Sequence, residues 1–555
     1  MKAQLNRCCV KIVAVAFAVA LLPACVLANT TNSLSATVQE ELEKQPVARL
    51  AFSSAEHLSD AIFEIGSEQF RLAFEGLFDK FFSAVDKQRP IGFYAYAGEK
   101  FDKPEFLVCI PVTNSANFKE TLSEYGFEFQ KSVWGTLLNT SKGRWYVRQN
   151  GNYLMFSNVK QRVEVPPVDC ENEFKTLLAD SSIALNFDNR KIPLEWKEQA
   201  WKIFQLQVLS ASPELRLDNR FPAVQIRELM FDMEQVDLRA KLDTETKNLS
   251  FDFQVHAKPD SRMANRTAQD LSLPKSNFAG FGFNKSGLNV RYSSNAPAEG
   301  LLKFIADTKE TVLMLKGEQV GPEAMSLLQE FDSIVASAFG SKVDSAGSLV
   351  TVKGQSHVVV GMFVEDGERC NKFLDMCIEF LESQPEKIRY RKNIATHKGV
   401  SFHQFIGKPS RSTFDPKITV GIGPQAVYYS QGKHGLDLIK ACIDKSAKHS
   451  DKSFDSTFHF HLRVARLVSM NASPRMMELL KPALDRNQGQ DVVQVKSRSI
   501  KNGYSATVSI DFGALDICLE TIAQIGAIAE AEFRAIADSL DEANSNRPFE
   551  KVGGE

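Results

Sequence analysis

The pattern of apolar and polar residues predicts many short strands separated by turns. In the first part of the chain, strand patterns occupy residues 92–97, 106–112, 143–147, 153–157 and 182–187. Residues 229–240 and 249–257 then form the pattern of a long hairpin that turns at 246–248. Apolar residues at helical spacing predict helices at 58–65, 118–125 and 194–211.

The second part of the chain repeats this order of elements. Strand patterns occupy 358–364, 399–403, 426–430, 457–464, 492–498 and 504–512, and helical patterns occupy 369–383 and 475–484. Gly143 is taken as the counterpart of Gly399, and Phe253 as the counterpart of Ile510. The pattern therefore predicts an α+β fold with two tandem copies of a mainly antiparallel sheet backed by amphipathic helices.

The domain boundaries follow from this repetition. A chain of 555 residues exceeds the size of one ordinary core. We expect a first α+β repeat at 46–258, a linker at 259–276 and a second repeat at 277–541 that carries an extra helical insert at 299–339. Residues 542–555 are polar and predict a disordered tail.

The first 28 residues have the pattern of an export signal. Lys2, Arg7 and Lys11 precede an uncharged apolar run at 12–22, and small residues follow near Ala28. The sequence thus predicts a cleaved signal peptide at 1–28 and a destination in the periplasm, the cell envelope or the extracellular space. Two alternatives are a lipid anchor at Cys25, in the lipobox-like run Leu22-Pro23-Ala24-Cys25, and an uncleaved anchor. Beyond the leader no apolar run is long enough to predict a membrane span.

Composition narrows the candidate partners. Sixty-six Lys and Arg residues balance 68 Asp and Glu residues, so no basic excess predicts binding to nucleic acid. The six cysteines after the leader are too few for a disulfide-dense scaffold and are expected to be buried thiols, although one bridge involving Cys170 is left open. Forty Phe residues indicate a large core, with an apolar ligand cavity as the alternative.

Candidate catalytic and metal-binding motifs are weak. His459 and His461 lie two apart on a strand and could face one ion, with His403 as a third ligand, but we expect both to be surface residues. Ser356 and His357 are strand neighbours that face opposite sides. The run Gly421-Ile-Gly423-Pro424 is followed by a strand rather than by the helix that a dinucleotide loop needs.

Carboxylate pairs such as Glu40-Glu41 and Asp516 with Glu520 are placed on solvated helix faces. Cys109, Cys370 and Cys377 are placed on buried faces, where a thiolate is disfavoured. No catalytic, cofactor-binding or metal-binding residue and no cofactor are therefore predicted.

Several packing motifs resemble a family of large secreted proteins of planctomycete-type bacteria with a duplicated α+β unit. These motifs are residues 47–50, 90–95, 106–112 followed by Phe118, 145–147 with 153–157, and 249–253. The resemblance covers most of the first copy and is weaker in the second. It implies export and fold, and it carries no settled activity.

These observations predict an exported, non-enzymatic binding or structural protein of the periplasm or cell envelope. Its ligand is not specified by the sequence, and the partner classes that we expect are an apolar ligand or an envelope protein. The alternative is an exported hydrolase with a dispersed acid/base site, which would show as a cleft where Asp, Glu or His side chains converge.

Overall fold

The computed structural model of the protein describes residues 45–57, 84–98, 101, 103–124, 127–132, 135–140, 143–167, 169–211, 221–272, 275–295, 322–383, 389–407, 415–449, 456–526 and 534. The signal peptide at 1–28 with Cys25, the pair Glu40-Glu41, the helix predicted at 58–65 and the tail at 542–555 lie outside these residues. So does the first part of the 299–339 insert.

Within the described residues, twenty strands form one antiparallel sheet. Strands β1 to β10 are Ala48–Phe52, Ile91–Tyr96, Glu105–Pro111, Glu128–Ser132, Gly135–Thr140, Gly143–Asn150, Tyr153–Ser157, Ile183–Asp188, Met233–Asp243 and Asn248–Ala257. Strands β11 to β20 are Ser286–Ser294, Val343–Val352, Gln355–Phe363, Arg389–His397, Val400–Ile406, Lys417–Gly423, Ala426–Gln431, Phe458–Arg463, Val492–Ile500 and Gly503–Asp511.

Helices cover parts of both faces of the sheet. Helices α1 to α11 are Ser115–Glu124, Lys160–Glu164, Cys170–Leu178, Leu194–Ala211, Phe221–Asp232, Arg262–Gln269, Pro322–Ser341, Gly367–Ser383, Gly435–Ala447, Val464–Asn471 and Pro474–Arg486. A 3-10 turn spans Asn189–Lys191, and residues 512–526 are also helical. The α+β fold class is thus confirmed. Within the described part of the chain, no helix has both the length and the apolar character needed to cross a membrane.

The strand order has a regular form. In the first half, hydrogen-bonded neighbours follow the order β4-β5-β6-β7-β3-β2-β1-β8-β9-β10. In the second half they follow β14-β15-β16-β17-β13-β12-β11-β18-β19-β20, which is the same order of connections. The two halves meet where β10 pairs with β20, from Asn248 opposite Asp511 to His256 opposite Gly503. The sheet stays open, with β4 and β14 at the ends of this order.

Each face of the first half is covered by a different set of helices, because neighbouring residues of a strand point to opposite faces. Leu50 and Phe93 face a core that contains Trp196 of α4 and Met230 of α5. The opposite face presents Ala51 and Tyr94 to the buried side of α3. In the second half, separate cores hold Phe278 with Phe402, and Leu374 with Ile378.

The structure confirms the predicted strands at 92–97, 106–112, 153–157, 182–187 and 249–257 to within one or two residues at each end. The helix predicted at 194–211 is also confirmed. The sequence patterns missed the strands β1, β4, β5, β11, β12, β14 and β16, which are short, polar or flanked by residues without a clear alternation.

Two sequence predictions are corrected, and one residue of the helix predicted at 369–383 is more exposed than a core residue would be. Residues 229–232 end helix α5 and are not the start of a strand, because apolar residues on both helix faces hide the helical period there. Gly143 and Gly399 are not counterparts. Gly143 starts β6, whereas Gly399 precedes β15, and β15 has the place in the second half that β5 has in the first. Phe373 is only half-buried and stacks at 6.0 Å on Phe331, which is itself 42% exposed.

The segment predicted as a linker, 259–276, carries a packed helix. Ser261 caps α6 by accepting a hydrogen bond from the Ala264 backbone N–H, and the helix buries Ala264 and Thr267. It contacts β19, β20 and α5, so it covers the region where the two halves meet. The polar composition of the segment reflects its exposed side, while its buried side is made of small residues that carry little hydrophobic signal.

Candidate functional site

A cleft of about 910 Å³ opens between helix α3 and the strands β1, β8 and β9. The 3-10 turn after β8 closes one end. Its lining is polar, with four cationic and two anionic side chains: Arg49, Arg190, Lys191, Arg239, Glu173 and Asp188. Amide side chains supply most of the rest, from Gln45, Asn172, Asn186 and Gln235.

The strand register places these side chains on one face. Arg49 of β1 lies opposite Asn186 of β8, which in turn lies opposite Asp237 of β9. Residues directly opposite each other in antiparallel strands share a face, and residues two apart on a strand also share it. Asp188 and Arg239 therefore point to the same side as Arg49, toward α3. On each of three neighbouring strands, a polar residue therefore stands on the face where the alternating pattern would place an apolar one.

Helix α3 forms the opposite wall. Its N-cap, Asp169, accepts a hydrogen bond from the Asn172 backbone N–H, which fixes the start of the helix. Cys170, Phe174 and Leu178 are spaced at four-residue intervals and are buried against the sheet. Glu173 follows on the adjacent side of the helix and lines the cleft.

The cleft carboxylates are already paired. Asp188 accepts hydrogen bonds from Arg190 Nε at 2.8 Å and Nη2 at 2.9 Å, and Lys191 Nζ lies 3.4 Å away. Desolvation opposes ionisation of Asp188, but these hydrogen bonds and charges outweigh it and lower the pKa of its carboxyl group. Glu173 accepts a hydrogen bond from the Tyr94 hydroxyl at 3.0 Å. Both carboxylates of the cleft are thus held by hydrogen bonds from protein groups.

Arg49 forms no ion pair with a carboxylate among the described residues, in contrast to Arg190 and Lys191, which both pair with Asp188. Its Nε is buried and has no hydrogen-bond partner among the described residues. Burial lowers the pKa of Lys191, Asp188 opposes this effect, and the charge of Arg49 adds to it. The two cations therefore repel each other across the cleft, and cationic side chains outnumber anionic ones in its lining by four to two.

Lys197 of α4 lies near the same end of the cleft. It is 4% exposed, and burial is the main cause that lowers the pKa of its ammonium group to about 8, with repulsion from Lys258 adding to the effect. Asp188 and Glu234 attract this charge but do not compensate its desolvation. Because its pKa is lowered in the folded state, Lys197 makes the free energy of unfolding depend on pH.

The histidines singled out from the sequence do not come together. His459 and His461 lie on β18 between β11 and β19, and both are half-buried rather than at the surface. The pKa of His461 is lowered by burial and by Arg463, and His459 Nε2 lies 2.8 Å from Gln494 Nε2. His403 is buried on β15, six places away along the strand order. No group of three or more potential metal ligands exists in the part of the chain that the structure describes.

His357 has a structural role. Its Nε2 accepts a hydrogen bond from the His434 backbone N–H at 3.2 Å, and its Nδ1 donates to the Gln355 carbonyl at 2.9 Å. His434 is the N-cap of α9, so the neutral imidazole satisfies a helix-terminal N–H. Burial is the main cause that lowers the pKa of His357.

The remaining sequence candidates are also structural. Gly421 and Gly423 lie on β16, whose hairpin leads directly into β17. The sequence places Asp516 on a solvated helix face, but the structure does not. Asp516 pairs with Arg486 Nη2 at 2.6 Å and accepts a hydrogen bond from Asn487. Glu520 accepts a hydrogen bond from Gln524 at 2.8 Å.

Sequence reasoning missed one serine–histidine contact and the cleft itself. Ser182 Oγ lies 2.8 Å from His57 Nε2 and also accepts a hydrogen bond from the Leu242 N–H at 3.0 Å. Ser182 is 2% exposed, which leaves no access for a substrate carbonyl. Arg49 and Asn186 could have been noticed as polar residues inside otherwise apolar strands, but their register was not readable from the sequence.

No family model and no curated protein matches the chain. Among solved structures, crystal form IV of TP0453 matches with a TM-score of 0.22 and 11% identity, over 39% of this chain and 78% of that chain. Crystal form III of TP0453 matches with a TM-score of 0.22 and 11% identity, over 42% and 79% of the two chains. TM-scores at this level assign neither fold nor function.

Proposed function

We propose that the protein is an exported, non-enzymatic binding protein of the periplasm or cell envelope, and that its cleft holds a small anionic ligand of the carboxylate or phosphate class. One observation carries this proposal: the guanidinium of Arg49 lines the cleft with a buried Nε that has no partner among the described residues. The leader at 1–28 supports the exported location.

The physical argument rests on unsatisfied hydrogen-bonding capacity. A buried donor without a partner costs roughly 1–3 kcal/mol. A ligand oxyanion in the cleft would pair with the accessible part of the Arg49 guanidinium and relieve the repulsion between Arg49 and Lys191. Arginine suits this role because its planar guanidinium matches carboxylate and phosphate oxygens in a two-bond geometry.

The rival functions have less support. An acid/base hydrolase needs one carboxyl group that stays protonated as the general acid, whereas hydrogen bonds and charges lower the pKa of Asp188 and keep it ionised. An apolar ligand needs an apolar lining, whereas this cleft is lined by charged and amide groups. The buried Phe residues that could have formed an apolar cavity, such as Phe174, Phe278 and Phe402, pack in the cores instead.

The test is a thermal-shift and calorimetric titration of the full mature protein with citrate, succinate, inorganic phosphate and glucose 6-phosphate. We expect at least one of these anions to raise the melting temperature. Arg49→Met should weaken its binding at least about tenfold, since a charge-assisted hydrogen bond is worth roughly 1.5–3 kcal/mol.

Arg144→Met is the matched control, because Arg144 is an exposed arginine on β6 outside the cleft. This variant should bind the anion as the unaltered protein does. Binding that is equal in the Arg49 and Arg144 variants, or the absence of any response to the four anions, would reject the proposal. N-terminal sequencing of protein from the native host should begin near Asn29, and an intact Met1 would reject the cleaved leader.

We also propose that the two halves are tandem copies of one unit. The identical order of connections in β1–β10 and β11–β20 supports this proposal, as do the corresponding places of β3 and β13, each followed by a helix. The test is superposition of residues 46–258 on 286–541 in an experimental structure. The proposal requires that Cys109 fall on the strand that matches Val360, and any other placement rejects it.

A further inference from the structure

Two thiols meet where helix α3 starts. Cys109 is in the centre of β3 and is 0% exposed, and Cys170 is the first residue of α3 and is also buried. Both belong to one apolar cluster, and each thiol is among the groups that shift the pKa of the other. Both are thiols in this structure.

The packing of α3 explains why they meet. Phe174 lies on Gly92 of β2, where a Cβ would come within 1.8 Å of the Phe174 ring. Gly92 pairs directly with Cys109 on the neighbouring strand. Cys170 precedes Phe174 by one helical turn, about 6 Å, and adjacent strands lie about 4.8 Å apart. One turn of the helix therefore spans about one strand spacing, which places Cys170 over Cys109.

We propose that Cys109 and Cys170 form a disulfide bond in the exported protein, which fastens the first turn of α3 to the central strand β3. The oxidant is a disulfide, either of a thiol–disulfide oxidoreductase or of a small molecule such as oxidised glutathione. Exported proteins meet such oxidants, whereas cytosolic proteins are kept reduced.

The reaction proceeds by two exchanges. The Cys170 thiolate attacks one sulfur of the oxidant, forms a mixed disulfide and expels the first oxidant thiolate. Cys109 then loses its proton and attacks Cys170 Sγ, forming the protein disulfide and expelling the second thiolate, and the two protein protons end on the expelled thiolates. Two protein thiols are oxidised, and one oxidant disulfide is reduced to two thiols.

The surroundings assign the order of attack. The neighbouring Cys109 thiol lowers the pKa of Cys170, although desolvation and the nearby Asp169 and Glu173 oppose this effect. The same contact, together with burial, raises the pKa of Cys109. Cys170 is thus the attacking sulfur and Cys109 the resolving one.

The bond would also affect the cleft. Asn172 and Glu173 follow Cys170 in the first turn of α3 and line the cleft wall. A covalent link at Cys170 holds that turn at a fixed distance from the sheet. The disulfide does not depend on the anion proposal, because it needs only that the two thiols lie together in this cluster.

The test uses the full mature protein with Cys518→Ser, which removes the exposed cysteine that could cross-link two molecules. The protein is refolded in a glutathione redox buffer, unfolded in acid, labelled with maleimide and digested without reduction. Mass spectrometry should find one cross-linked pair of peptides that contains Cys109 and Cys170. Cys370, Cys377 and Cys442 should carry maleimide.

Cys109→Ser and Cys170→Ser should each abolish the cross-link and leave the other cysteine labelled, whereas Cys442→Ser should leave the cross-link intact. Reduction of the oxidised protein should lower its melting temperature by several degrees, roughly as expected for loss of a cross-link. If Cys109 and Cys170 of the oxidised, folded protein are both fully labelled, or if the cross-link joins other cysteines, the proposal is wrong. This readout requires no ligand, so its failure is distinct from a failure of the anion proposal.

Discussion

The Phe174 ring lies directly on the backbone of Gly92. A Cβ built on Gly92 would fall 1.8 Å from Phe174 Cζ. Because the Phe174 ring is buried, it cannot move aside without disturbing its other contacts. This contact fixes where α3 sits on strands β1, β2 and β8, and therefore the width of the cleft between α3 and β9. The absence of a side chain at Gly92 is thus a condition for the candidate site.

Gly92→Ala should lower the free energy of unfolding by roughly 1–3 kcal/mol, because the added methyl group overpacks the site. Phe174→Ala should lower it by roughly 3–5 kcal/mol, because it leaves a cavity beside Tyr94. Since the two residues touch, the double variant should lose clearly less stability than the two single variants lose together. Urea denaturation of the four proteins measures these values, and strict additivity would contradict the contact.

The sequence predicted the elements better than it predicted their contacts. Apolar runs such as 106–112 and 153–157 identify strands directly, because a strand that is covered on both faces needs apolar residues throughout. Short polar strands such as β4, Glu128–Ser132, leave no such signal, because their pairing alone keeps them in the sheet. Helix α6 was missed for a related reason, since its buried side consists of small residues.

The candidate site could not be predicted because it depends on register. Arg49, Asn186 and Arg239 are far apart in the chain, and nothing in their local sequences indicates that β1 pairs with β8 and β8 with β9. His459 and His461 formed the more visible motif, yet their strand lies inside the sheet, with Arg291 and Lys496 opposite His459 and Arg463 beside His461. Spacing along the chain identifies a shared face, but only the fold identifies what that face meets.

Arg49 should be dispensable for stability, unlike its neighbour Arg190. Arg49→Met should leave the free energy of unfolding unchanged or raise it by about 1 kcal/mol, since it removes an unsatisfied donor and a repulsion of Lys191. Arg190→Met should lower it by roughly 1–3 kcal/mol, because the buried Asp188 loses two hydrogen bonds. Chemical denaturation in a buffer without added anions compares them. A large loss in the Arg49 variant would indicate a structural role.

The contribution of Lys197 to stability should rise with pH through the neutral and mildly alkaline range. Lys197 has a folded-state pKa of about 8, below its ordinary value of 10.5, so the folded state binds fewer protons than the unfolded state between these values. The corresponding gain in the free energy of unfolding is about 2 kcal/mol between pH 7 and pH 9.5. Lys197→Met should remove this gain, and denaturation at both pH values measures it. An unchanged slope in the variant would show that Lys197 is not the cause.

The free energy of unfolding should also decrease at acid pH, for a separate reason. The pKa of His357 is lowered in the folded state. The stability that its neutral imidazole contributes is therefore present above the ordinary histidine pKa and is lost as the pH falls through the folded-state pKa. Protonation would also remove the acceptor of the His434 N–H at the start of α9. His357→Gln, which is uncharged at every pH, should be less stable at pH 8 but should lose less on acidification to pH 5. His403 and His461 also have lowered pKa values and should keep part of the acid sensitivity.

Phe118 and Phe373 occupy the helices that follow β3 and β13, but they should respond differently to truncation. Phe118 is fully buried and packs at 6.4 Å on Phe156, so Phe118→Ala should cost roughly 3–5 kcal/mol. Phe373 is half-buried against Phe331, which is itself exposed, so Phe373→Ala should cost clearly less, about 1–2 kcal/mol. Leu374→Ala serves as the control on α8, because Leu374 is buried in the core of that half and should cost roughly 2–5 kcal/mol. Urea denaturation measures all three, and a Phe373 variant that loses as much as the Phe118 variant would mean that α8 is covered more completely than the structure shows.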